Sequence, residues 1–217
     1  MKPEQADTAP DERRGRWIET LTVGVLAITA LAAAWSGYQS AVWRGTQSTS
    51  YVQAGGARTN GAQERTEANQ FRLADLSVFE AYIEATAEGN TELADFYSNR
   101  FRDEFRVAFD AWIAQDPFEN PNAPPTPLAM DEYQLATDLE ADRLMARADE
   151  FLAAGEAANK TANTYTLGTL LFASVLFFAA ISQRFDRNWA RSLLLGLALV
   201  GLVAGITVAA GQPVTFG

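Results

Sequence analysis

The sequence predicts an all-α membrane protein, with three transmembrane helices and an extended extracytoplasmic helical bundle contiguous with the spans. Three observations carry this. First, the runs Thr20 to Trp43, Asn163 to Ser182 and Ser192 to Ala210 contain no charged residue; about 20 helical residues at 1.5 Å each cross a hydrocarbon core of about 30 Å. Second, the intervening stretch repeats apolar residues at helical spacing. Third, charge is divided along the chain: residues 44–160 carry 21 carboxylates against 10 basic side chains, a formal −11, whereas the loop between the last two runs is positive.

Residues 1–16, MKPEQADTAPDERRGR, hold two prolines and mixed charge and read as a disordered cytoplasmic tail. Span one follows over 17–43, with Trp17, Trp35, Tyr38 and Trp43 at or near its ends as interfacial aromatics. Its apolar run with Ala32-Ala33-Ala34 has the look of a cleavable leader. The long tail ahead of it, balanced by acidic residues, and the continuation of the run to Trp43 favour an uncleaved anchor. Orientation follows from Arg13, Arg14 and Arg16 before this span and Arg184, Arg187 and Arg191 between the other two. Both clusters should be cytoplasmic. The N-terminus is then cytoplasmic, and residues 44–162 and 212–217 are periplasmic at a bacterial inner membrane.

Within the middle domain, residues 44–61 are rich in Gly, Ser, Thr, Gln and Ala and read either as a helical extension of span one broken near Gly55-Gly56 and Gly61 or as a loop, and the stretch Gln39 to Gln70 reads equally as a linker or as the lining of a hydrated lumen or subunit interface. Helices are expected over about 62–89, 91–115 and 131–162. The second carries the stripe Leu93, Phe96, Tyr97, Phe101, Phe105, Phe109, Trp112 and Ile113 as the domain's core. Between the second and third lies a loop over 116–130 with prolines from Pro117 to Pro127, since Pro lacks the amide donor and clashes with the preceding turn. No Pro stands between residues 128 and 212, so the third helix should run directly into span two (163–183). A cytoplasmic turn (184–188) and span three (189–211) complete the chain. The polar helices bury their stripes only by packing together as a coiled-coil-like bundle.

Function classes narrow by elimination. There is no Cys and no His, which removes disulfides, thiol chemistry, Cys/His zinc sites and imidazole bases. The acidic middle repels phosphate backbones, so no nucleic-acid partner is expected. No G-x-S-x-G, Walker A, H-E-x-x-H or calcium-loop pattern is present, and Asn159-Lys160-Thr161 reads as an incidental glycosylation triplet. No catalytic, cofactor or metal-ligating residue is nominated, and the protein reads as non-enzymatic.

Two sets of residues stand out. Glu80, Glu84 and Glu88 recur every four residues. Like charges at that spacing disfavour a helix slightly, so they form either a solvated face neutralised by Arg100, Arg102 and Arg106, or a cation-attracting ladder around a ring of subunits. Gly196, Gly201 and Gly205 in span three, with Ala30, Ala33, Ala34 and Gly37 in span one, permit close helix contact, within the chain or between copies. The expected partners are the lipid bilayer and either further copies of the chain or a larger membrane complex. The expected role is self-associating or accessory scaffold, with a homo-oligomeric cation channel as the alternative.

AWSGYQSAVW in span one, Tyr51-Val52-Gln53-Ala54 after it, and the hairpin LLFASVLFFAAISQRF with LLLGLALVGLVAG together resemble a bacterial family of small inner-membrane proteins of unknown function, built from one N-terminal span, a helical middle and a C-terminal pair of spans. The resemblance implies topology and no catalytic residue.

Overall fold

The computed structural model describes residues 9–185 and 187–216. The first half of the expected tail, Asp186 in the expected turn and Gly217 lie outside the described residues. Within them the chain is all-helical: α1 (Ala9–Ala87), α2 (Thr91–Ser98), α3 (Asp103–Ile113), α4 (Ala136–Ser182) and α5 (Asn188–Ala210), with a 3-10 turn at Pro127–Ala129. Three helices are long and apolar enough to cross a membrane: α1, α4 and α5. The chain divides into two compact units, one of Met1–Tyr51 with Ala153–Gly217, the other of Val52–Leu152.

α1 runs for 79 residues without a break, which revises one expectation and decides a point the sequence left open. Residues 9–16 are helical rather than disordered: Pro10 sits in the first turn, where a missing N–H leaves no bond unmade. Residues 44–61 are helix rather than loop. Each of their glycines weakens a helix by about 1 kcal/mol relative to Ala, but no Pro interrupts the chain between Pro10 and Pro117, and Ala54, Ala57 and Gly61 are buried. Gly89, at φ +71°, ends the helix with the left-handed residue that only glycine adopts without strain, and Asn90 donates its backbone N–H to Ala85 O. The Asn90 side chain then caps α2, accepting from Leu93 N.

The helix expected over 91–115 is two helices. Arg102 is extended (φ −61°, ψ 149°) at the break between α2 and α3, and the reason lies in what the break satisfies: Phe101 turns into the core while the Arg102 guanidinium reaches Asp75 of α1. Of the expected stripe, Phe101, Phe105, Phe109 and Trp112 are buried and Ile113 packs beside them, but Phe96 is 47% exposed. The third helix begins at Ala136, five residues later than expected, because the intervening chain is held in turns, with Tyr133 N donating to Met130 O and Gln134 N to Glu132 O.

In the unit of Val52–Leu152, α1 and α4 lie antiparallel. Arg58 pairs with Asp149, Arg65 with Asp142 and Asp138, and Arg72 with Asp138, so partners on α4 descend as α1 climbs. Ala54, Gly61 and Ala68 recur every seven residues on α1 and are buried; Ala141 and Ala148 do the same on α4. A Cβ on Gly61 would stand 3.3 Å from Ala141 O, Leu144 Cβ and Met145 Cε, so the two backbones come close along this seam.

In the unit of Met1–Tyr51 with Ala153–Gly217, Val25, Phe172, Val175, Ala179, Ala198 and Leu202 form a core shared by α1, α4 and α5. Ser40 Oγ donates to Ala162 O and bonds the Thr166 hydroxyl. The segment after α5 is strapped across the helices: the Gln39 amide donates to Thr215 O and accepts from Thr215 N, and Trp43 Nε1 and Tyr165 OH both donate to Pro213 O.

Candidate functional site

The last four turns of α1 present Leu76, Phe79, Glu80, Ile83, Glu84 and Ala87 along one side, because spacings of three and four bring side chains onto a common helical face. Trp112 of α3 and Pro117, Phe118, Pro125 and Thr126 of the proline-rich loop stand opposite, enclosing an open groove of about 530 Å³. Phe79 and Trp112 form the buried floor, edge to face with ring centres 5.3 Å apart. Glu80, Glu84, Ala87, Pro125 and Phe118 form an exposed rim, with Phe118 63% exposed and 5.8 Å from the Trp112 ring. Trp112 Nε1 donates to Pro124 O at 2.7 Å, tying the loop to α3. Asp116, at φ +52°, makes the sharp exit from α3; Asp tolerates this conformation better than most residues.

One turn below Phe79, a polar network fixes the walls. Asp75 is 4% exposed and accepts from Tyr133 OH at 2.8 Å and Arg102 Nη1 at 2.9 Å. Arg102 also pairs with Glu104 and stacks over the Phe71 ring at 4.0 Å. Glu104 in turn accepts from Ala136 N, the first amide of α4, where a carboxylate satisfies an otherwise unpaired donor. One buried carboxylate thus joins α1, the start of α3 and the approach to α4. Burial, reinforced by the bond to Asp75, raises the Tyr133 phenol well above its ordinary range, so it remains a donor at any physiological pH.

Glu80 and Glu84 both project at the groove, whereas Glu88 lies past the end of α1, in the turn. Of the arginines expected to neutralise them, Arg102 is in the Asp75 network and Arg100 lies over the Phe96 ring at 3.5 Å. Among the described ion pairs none includes Glu80, Glu84 or Glu88. In α5, Gly205 and Gly201 receive side chains of α4: a Cβ would meet Phe172 Cε1 at 2.6 Å and Val175 Cγ2 at 2.9 Å. Ala33 packs beside the same core, while Gly196 and Gly37 have no neighbour within 4 Å of a would-be Cβ.

Sequence reasoning did not single out Asp75, Tyr133, Gln39 or Trp112 as site residues. For Asp75 the signal was available: it falls in phase with the seam Ala54, Gly61 and Ala68, where a charge is out of place unless it is partnered. Among the described residues no group of three or more His, Cys, Asp or Glu side chains is arranged to hold a metal ion. No known family, curated protein or solved structure matches the chain.

Proposed function

We propose that this is a non-enzymatic integral membrane protein that serves as a docking and scaffold component of an inner-membrane complex, as a self-associating or accessory subunit. The observation that carries the reading is the groove: an aromatic floor and an exposed phenylalanine beside two carboxylates without ion partners is a surface arranged for contact. The three apolar helices anchor it. The arginine clusters at 13–16 and 184–191 favour a cytoplasmic N-terminus, with the groove and the segment after α5 on the periplasmic side. Mass measurement of the purified full chain in mild detergent, with co-purifying proteins identified, tests this: an oligomer or a stoichiometric complex is expected, and a lone monomer refutes it. Labelling of Pro124→Cys but not Asn188→Cys from the periplasm checks the orientation.

The cation-channel reading draws on a different observation, the exposure of Glu80, Glu84 and Glu88 next to the amide- and hydroxyl-bearing outer face of α1. It predicts a cation conductance in planar bilayers that falls when all three become Gln, and a silent bilayer eliminates it.

A further inference from the structure

The groove specifies its occupant by three properties. It runs alongside α1 from Leu76 to Ala87, about 16 Å at the helical rise, which matches an occupant helix of about three turns. Its rim is open, so a small molecule would be only partly enclosed, whereas a chain segment gains contact along the whole length. Its polar content is Glu80 and Glu84, one turn apart and both without an ion partner, beside the apolar Phe79, Ile83, Trp112 and Phe118.

Charge decides between a second copy and a different partner. Residues 52–152 carry 20 carboxylates against 8 arginines, and five of those arginines already pair with carboxylates of the same unit. Two such units repel one another, and the cation that the groove lacks is better supplied from outside. We infer that the groove docks a basic amphipathic helix of a partner protein. Leucine or aromatic anchors seat against Phe79, Trp112 and Phe118, and Lys or Arg side chains four residues apart pair with Glu80 and Glu84. This is the helix-in-groove mode of recognition, and it rests on the reading of the protein as a docking component.

The test uses the purified full chain in nanodiscs of neutral lipid and a fluorescein-labelled amphipathic peptide with two leucines and two arginines, each pair four residues apart. Two control peptides replace the arginines by glutamine or the leucines by alanine. Binding by the parent peptide is expected to weaken about tenfold for each of Glu80→Gln and Glu84→Gln and by a similar factor for Phe118→Ala. The exposed pair Glu67→Gln/Glu150→Gln should leave it unchanged, and both control peptides should bind at least tenfold more weakly. Equal loss in the exposed-pair variant, binding that survives removal of either the arginines or the leucines, or no binding at all overturns the inference. So does a wild-type homo-oligomer that Phe118→Ala dissociates, since a second copy then fills the groove. A complex that persists in the mass measurement while the peptide fails to bind leaves the scaffold reading standing and rejects only this occupant.

Discussion

Replacing Asp75 by Asn keeps the shape of a side chain that is 4% exposed but removes the charge and one acceptor from Tyr133 and Arg102. Hydrogen bonds to a charged group contribute about 1.5–3 kcal/mol each, so loss of both sets an upper bound of about 6 kcal/mol. Arg102 retains Glu104 and its side chain is 30% exposed, so water and that carboxylate recover part of the loss. The expected cost is about 3 kcal/mol, comparable to the low end for breaking a buried pair. At about 2–4 °C per kcal/mol for a chain of this size, the melting temperature of the groove-bearing unit should fall by about 8 °C. Trp112 is the only tryptophan between residues 52 and 152, so its emission, isolated by difference against Trp112→Phe, reports on this unit and not on the unit of Met1–Tyr51 with Ala153–Gly217. A double-mutant cycle with Tyr133→Phe should give a coupling of about 1 kcal/mol. If Asp75→Asn melts no lower than the exposed control Asp95→Asn, the network does not hold the groove walls and the reasoning fails.

Gly205→Val places a branched side chain where even a Cβ would meet the buried Phe172 ring; overpacking of about 1–3 kcal/mol should lower the detergent melting temperature, while Gly196→Val, with open space around it, should not. The raised phenol of Tyr133 favours the folded state fully below the ordinary tyrosine pKa of about 10, and this contribution is lost as pH rises toward the folded value; stability of the Val52–Leu152 unit should fall above pH about 10, and Tyr133→Phe should flatten that slope. Ser36 Oγ is buried without a hydrogen-bond partner, so Ser36→Ala should be neutral or stabilising in the same melting assay, by up to about 1 kcal/mol. Gln39→Leu removes both bonds to Thr215 and should speed hydrogen exchange at the Thr215 amide with little change at α5.

Apolar length and helical spacing made the three membrane-competent helices and the aromatic core legible in the sequence, because both are properties of near neighbours in the chain. The break at 99–102 was not legible: no Pro or Gly marks it, and it is dictated by Asp75, 27 residues away, which draws in Arg102. The groove was half legible. Glu80 and Glu84 announce themselves by their spacing, but their opposite wall comes from Trp112 of α3 and from Phe118 of the loop that Pro124 ties to it. Residues 44–61 illustrate the converse, since their Gly, Ser and Thr residues signal weak helix propensity locally, while Gly61 serves a tight seam that only the partner helix reveals.

That seam has a weakness of its own. Ala54, Gly61 and Ala68 facing Ala141 and Ala148 repeat with a seven-residue period, so sliding one helix past the other by two turns would offer nearly the same smooth surfaces again. Small side chains permit nearness but say little about position. The carboxylates supply what the alanines cannot. Arg65 meets both Asp138 and Asp142; slipped one way it would face Met145 and Asp149, and the other way Asp131 and Leu135, losing one carboxylate either way. The charged residues flanking the seam thus remove an ambiguity that close packing alone would leave, and a variant neutral at 65, 138 and 142 is where misaligned pairing should first be seen.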